Sequence, residues 1–123
     1  MNGKPMKVPG PDHPITISPQ PGHVTVRAGG RVVAESDRAL VLREASYPGV
    51  IYIPCADADM AQLSRSDHQT YCPYKGEASY FSLATGEEGR NAVWTYEAPY
   101  DAVSTIKDHL AFYPDKVEIE VRA

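Results

Sequence analysis

The sequence predicts a mainly β domain, a compact, antiparallel, β-rich α+β fold with two short helices. Pro, Gly and charged turns cut the chain into short segments, the usual signal for such a fold. Several segments alternate apolar and polar residues at the two-residue period of a half-buried strand. Between two of them stands Gly29-Gly30, a pair suited to the positive φ angles of a two-residue hairpin turn. At 123 residues the chain is one domain by size, long enough to bury a core without covalent staples.

Met1–Pro14 is polar and rich in Pro and Gly, so it is expected as a flexible arm preceding a single domain over 15–123. Ile15–Ser18 and His23–Ala28 follow as strands, the second alternating Val24 and Val26 with Thr25 and Arg27. Arg31–Ser36 is the return strand of the Gly29-Gly30 hairpin. Ala39–Glu44 and Val50–Ile53 are further strands, the latter bounded by Pro48 and Pro54. Asp57–Ser64 is expected as one or two helical turns, with Asp57 and Asp59 favouring its N-terminus, where backbone N–H groups lack partners. Ala78–Ala84 and Asn91–Glu97 form an antiparallel pair joined by the polar loop Thr85–Arg90. Asp101–Asp108 is a second short helix expected to bury Ala102, Val103 and Ile106. Val117–Val121, with its V-E-I-E-V pattern, closes the chain as a strand with one wet face.

Composition excludes several functions. The net charge is −4 and no Lys/Arg-rich run occurs, so no nucleic-acid surface is expected. No apolar stretch approaches the roughly 20 residues that span a bilayer, and Met1–Pro14 has no apolar core of a secretory signal. Two cysteines cannot build a disulfide framework, and a cytoplasmic protein with reduced thiols is expected. Nucleotide-binding glycine loops, the nucleophile-elbow G-x-S-x-G and H-E-x-x-H are all missing.

The densest chemistry lies in Asp67–Glu77. Pro73 fixes its own φ and Gly76 permits a left-handed bend, so Thr70–Gly76 reads as a rigid turn holding Cys72 and Lys75 on either side. A lysine there can hold an anionic group; equally, it can lie over Tyr74 or Tyr80 and pair with Glu77. Cys72 is a weak candidate nucleophile, activated if Lys75 or His68 lowers its pKa; a small buried thiol is the plainer reading. Cys55, His68, Cys72 and His109 have the ligand types of tetrahedral zinc but none of its spacings, so no metal is expected. Eight tyrosines and one tryptophan are many for this length. Strand alternation puts Ala92, Trp94 and Tyr96 on one face, opposite Val93 and Thr95, with Tyr80 and Ser82 across from some of them on the neighbouring strand. Those rings serve either as an aromatic core or as the wall of a pocket.

Five runs together resemble a known family: Y-P-G-V-I-Y-I-P (47–54), D-x-D-M (57–60), T-Y-C-P-Y-K-G-E-A-S-Y (70–80), N-A-V-W-T-Y-E-A-P (91–99) and L-A-F-Y-P-D-K-V (110–117). They are similar to domain-of-unknown-function family 427, found largely in bacteria and fungi and also labelled nucleotidyltransferase-like. The resemblance spans Val24–Val121 and implies a tent-like β fold. Tent-domain relatives carry C-x-x-C zinc pairs; this chain has none, and their metal is not carried over. Nor does it show the metal-binding carboxylates and phosphate-holding glycine loop of a nucleotidyltransferase.

The expectation is therefore a small-molecule-binding or enzymatic domain without cofactor. Its cleft lies near the Thr70–Gly76 turn, formed by His68, Thr70, Lys75, Tyr80, Trp94 and Tyr96, with Lys75 meeting a small anionic molecule. The competing expectation is an interaction module or homodimer that uses its aromatics as an interface.

Overall fold

The computed structural model describes residues 4–123. Ten strands form two antiparallel sheets. The larger runs in the order β1 (Ile15–Pro19), β4 (Leu40–Glu44), β5 (Val50–Pro54), β9 (His109–Phe112), β8 (Val93–Thr95), β7 (Gly76–Leu83) and β6 (Leu63–Cys72). The smaller sets β10 (Glu118–Arg122) beside β2 (His23–Ala28), which pairs with β3 (Arg31–Ser36). The domain is thus mainly β, and the Gly29-Gly30 turn joins β2 to β3 with φ of 58° and 80°.

The two-residue period of the strands sorts side chains onto two faces of the large sheet. Ile53, Leu83, Val93, Leu110 and Phe112 point toward Val24, Val26, Val33 and Ala34 of the small sheet, making one buried cluster. The alternating positions Leu42, Tyr52, Ala78, Tyr80, Tyr96 and Ala111 form a second cluster with Val103 and Ile106. One face of the sheet is therefore mostly aliphatic and packs against the small sheet, whereas the other is aromatic.

Neither expected helix is α-helical. Asp57–Ser64 resolves into two 3₁₀ turns, Cys55–Asp57 and Met60–Gln62, followed directly by β6. Asp59 does cap the second turn, accepting from the Ala61 N–H at 3.2 Å. Asp57 instead accepts from the Ser36 hydroxyl and from Arg38, at 2.6 and 3.0 Å. Asp101–Ile106 is also 3₁₀, in two turns that meet at a kink at Val103 (φ −125°); Val103 and Ile106 are buried while Ala102 is left exposed.

The long edge strand β6 pairs with β7 in two stretches, broken by a bulge between Arg65 and Gln69. Residues 4–14 run from the β6–β7 turn to the end of β4: the Lys7 N–H donates to the Pro73 carbonyl at 2.9 Å, and the Ala45 N–H to the Pro14 carbonyl at 2.8 Å. Met1 to Gly3, the start of the expected arm, are outside the described residues. No helix among the described residues is long and apolar enough to cross a membrane.

Candidate functional site

β7 and β8 pair in a register that sets Tyr80 directly beside Trp94 on the aromatic face, with Ala111 of β9 on the other side of Trp94. Tyr52 of β5 meets the Trp94 ring edge-on, their centroids 6.4 Å apart, and accepts from its indole N–H at 3.4 Å. Tyr113, just beyond β9, packs tilted against Trp94 at 4.6 Å. These large rings surround small Ala78 and Ala111, and a cavity of about 300 Å³ opens among them. Lys75, Tyr80, Trp94 and Tyr96 all line it, together with Leu42, Glu44, Tyr47, Pro48, Val50, Tyr52 and Tyr113. Its volume is at the lower bound of small-molecule sites. The alternatives of aromatic core and aromatic pocket turn out to be compatible: Tyr52, Tyr80 and Tyr96 are nearly fully buried and are also the cavity wall.

Lys75 reaches this cavity because the β6–β7 turn folds inward. Its N–H donates to the Cys72 carbonyl at 3.2 Å, its carbonyl accepts from Tyr100, and Gly76 follows at φ 109°. The side chain is only 11 % exposed, and its Nζ donates to Glu44 Oε1 at 2.5 Å. Glu77, the partner expected from sequence, pairs with Lys4 instead. The other oxygen of Glu44 meets His13 Nε2 at 2.7 Å, and the His13 ring stacks flat on Tyr74 at 4.0 Å. Burial works against ionisation of Glu44, but hydrogen bonds from Lys75 and His13 outweigh it and hold its pKa below the ordinary value.

Three of the phenols, Tyr52, Tyr96 and Tyr113, are held neutral. Burial pushes Tyr52 and Tyr96 far above the ordinary tyrosine range. Burial, then a hydrogen bond with Tyr80, pushes Tyr113 up to about 12. The cavity therefore combines one ion pair with neutral hydroxyls and flat apolar rings.

His68 and Thr70 do not line it. Both are exposed and support Tyr80 from outside: the Thr70 and Tyr80 hydroxyls share a hydrogen bond of 2.9 Å, and His68 meets the Tyr80 ring at 4.5 Å. Cys72 packs against the aromatic cluster without lining the cavity. It and Cys55 are free thiols, and burial pushes Cys55 up. Cys55, His68, Cys72 and His109 do not converge; among the described residues no group of three or more His, Cys, Asp or Glu is arranged to hold a metal.

Sequence reasoning missed Glu44, Tyr52 and His13. A signal existed for the first two: Glu44 ends a strand just before Tyr47-Pro48-Gly49, and Tyr52 is the one polar tip in the run Val50–Ile53. His13 lies in a Pro/Gly-rich segment with no pattern to single it out.

A family model described as a domain of unknown function (DUF427), with the short name NTP_transf_9, matches residues 16–123. No curated protein matches the chain. The short name refers to nucleotide chemistry, yet among the described residues Glu44 is the only carboxylate lining the cavity.

Proposed function

From a chain that belongs to the DUF427 family, and from the geometry of its site, we propose a small-molecule-binding domain whose ligand sits in the aromatic cavity with its polar group on the Glu44–Lys75 pair. One observation carries this reading: a nearly buried ion pair lines the same 300 Å³ cavity as Tyr80, Trp94 and Tyr96. A buried charge pair is a poor stabiliser compared with apolar residues of equal size. Placed at the wall of a cavity, it makes sense as a recognition element.

The pair also favours a ligand chemistry. A free carboxylate drawn to Lys75 meets the Glu44 carboxylate as well, and like charges disfavour it. An amide or urea edge avoids that conflict, since its carbonyl accepts from the ammonium while its N–H donates to the carboxylate. Lys75 has three donors and each Glu44 oxygen two lone pairs, so both keep spare capacity after pairing with each other and with His13. The flat body of such a molecule lies against Trp94 and the tyrosine rings.

The test is a thermal-shift and calorimetric screen with benzamide, phenylurea, benzoate and benzylamine. Benzamide or phenylurea raises Tm in proportion to ln(1 + [L]/Kd), and Trp94→Ala weakens binding about tenfold or more, the value of one good stacking contact. A screen in which none of the four binds, or in which Trp94→Ala binds as well as the parent, overturns the reading.

A further inference from the structure

A second cavity, of about 330 Å³, adjoins the first. Tyr47, Pro48, Val50 and Trp94 line both, so the loop between β4 and β5, the first residue of β5 and the indole form the partition. The remaining walls differ in kind. Where the first cavity has Glu44 and Lys75, the second has Ile51, Phe112, Pro114 and Ile119, and no charged side chain lines it. Tyr47, in the partition itself, is 66 % exposed. An isolated apolar hollow of this size is unfavourable in water, and the side chains that shape it are supplied by strands of both sheets: Ile51 and Phe112 from the large, Ile119 from the small.

We infer that the two cavities are one bipartite site, and that its ligand is an amphiphile: a donor–acceptor head on the Glu44–Lys75 pair and a short apolar arm lying past Trp94 against Ile51, Phe112, Pro114 and Ile119. This deepens the binding reading above and rests on it. The occupant follows from continuity and polarity. The first cavity alone is small for a ligand, the second offers nothing polar to anchor one, and their common wall places a charged end and an apolar end on either side of a single ring. Ligand sites generally combine a mostly apolar lining with a few placed polar groups, and here the two parts are segregated along one axis.

The experiment compares benzamide with 4-n-butylbenzamide by isothermal titration on the full chain. Each buried methylene is worth roughly a fourfold gain in affinity, so even partial burial of the butyl arm gives at least about a tenfold tighter Kd. In Ile119→Glu, which puts a carboxylate at the apolar end, the ratio of the two affinities falls below about threefold. Pro114→Glu, on an exposed loop and so without risk to the fold, does the same. If benzamide binds but the butyl arm adds less than threefold in the parent chain, the bipartite site is wrong and the binding reading stands. If the ratio survives both substitutions, the arm lies elsewhere and the inference falls. If neither probe binds, inference and reading fall together. A dimer in sedimentation that dissociates in Pro114→Glu shows a second copy on this face and also overturns the inference.

Discussion

Glu44 shows how a single carboxylate ties three distant parts of the chain together, with Lys75 on one oxygen and His13 on the other. Removing the lysine leaves a mostly buried carboxylate served by His13 alone, so Lys75→Met costs about 3 kcal/mol in urea unfolding at pH 7. The double variant Glu44→Gln/Lys75→Met, which leaves no unpaired charge, loses distinctly less; a double variant weaker than the single one contradicts this account. The pH dependence has a definite sign. The folded-state pKa of Glu44 lies below its ordinary value of 4.5, so its contribution is fully present above about that pH and is lost as pH falls through the depressed value. Acid unfolding of Glu44→Gln therefore starts from lower stability but shows a shallower loss below pH 4.5 than the parent. Equal slopes rule out Glu44 as a contributor.

Among the elements, the β6–β7 hairpin matters most, because its turn aims Lys75 inward. Gly76 holds φ at 109°, where L side chains are strained, and a Cβ there sits 3.4 Å from the Ala98 carbonyl. Gly76→Ala is expected to cost about 1–3 kcal/mol and to weaken benzamide binding along with stability; unchanged unfolding midpoints refute the role given to this turn. The hairpin also marks what was legible in the sequence. Proline, glycine and lysine in one short run announced the turn, and the alternation of Val93, Trp94 and Thr95 announced which ring faces the cavity. β6 gave little signal since it is an edge strand whose polar residues are wet on both sides, leaving no period to read. His109–Phe112 went unrecognised because this strand has only four residues between the break at Asp108, at φ 61°, and the turn after Tyr113, too few to show a period. Ala102 was misplaced by reading one short regular helix where the backbone kinks at Val103. The Glu44–Lys75 pair lies 31 residues apart in sequence, with β5 and β6 between, and only tertiary structure joins it.

At the scale of the molecule, the two sheets enclose the aliphatic cluster, while residues 4–14 back the polar end of the aromatic cavity. Tyr71 donates to the Pro5 carbonyl and Tyr100 to Tyr71, each at 2.5 Å, and the hydrogen bond with Tyr100 pushes Tyr71 up to about 12. A chain starting at Pro14 loses the Pro5–Tyr71, Lys7–Pro73 and His13–Glu44 bonds, so its Tm is expected to drop by about 5–10 °C at a few degrees per kcal/mol. A calorimetric shift under about 2 °C contradicts a structural role for the segment. The bulge in β6 has a consequence of another kind. Between Arg65 and Gln69 this strand uses two residues more than its neighbour over the same stretch (Arg65↔Phe81, Gln69↔Ser79), and the excess interrupts the outer row of amide and carbonyl groups that a neighbouring molecule needs in order to add a strand. Excising Asp67 and His68 evens the count. The rim then becomes a continuous template, and concentrated solutions turn turbid and scatter light as molecules join edge to edge.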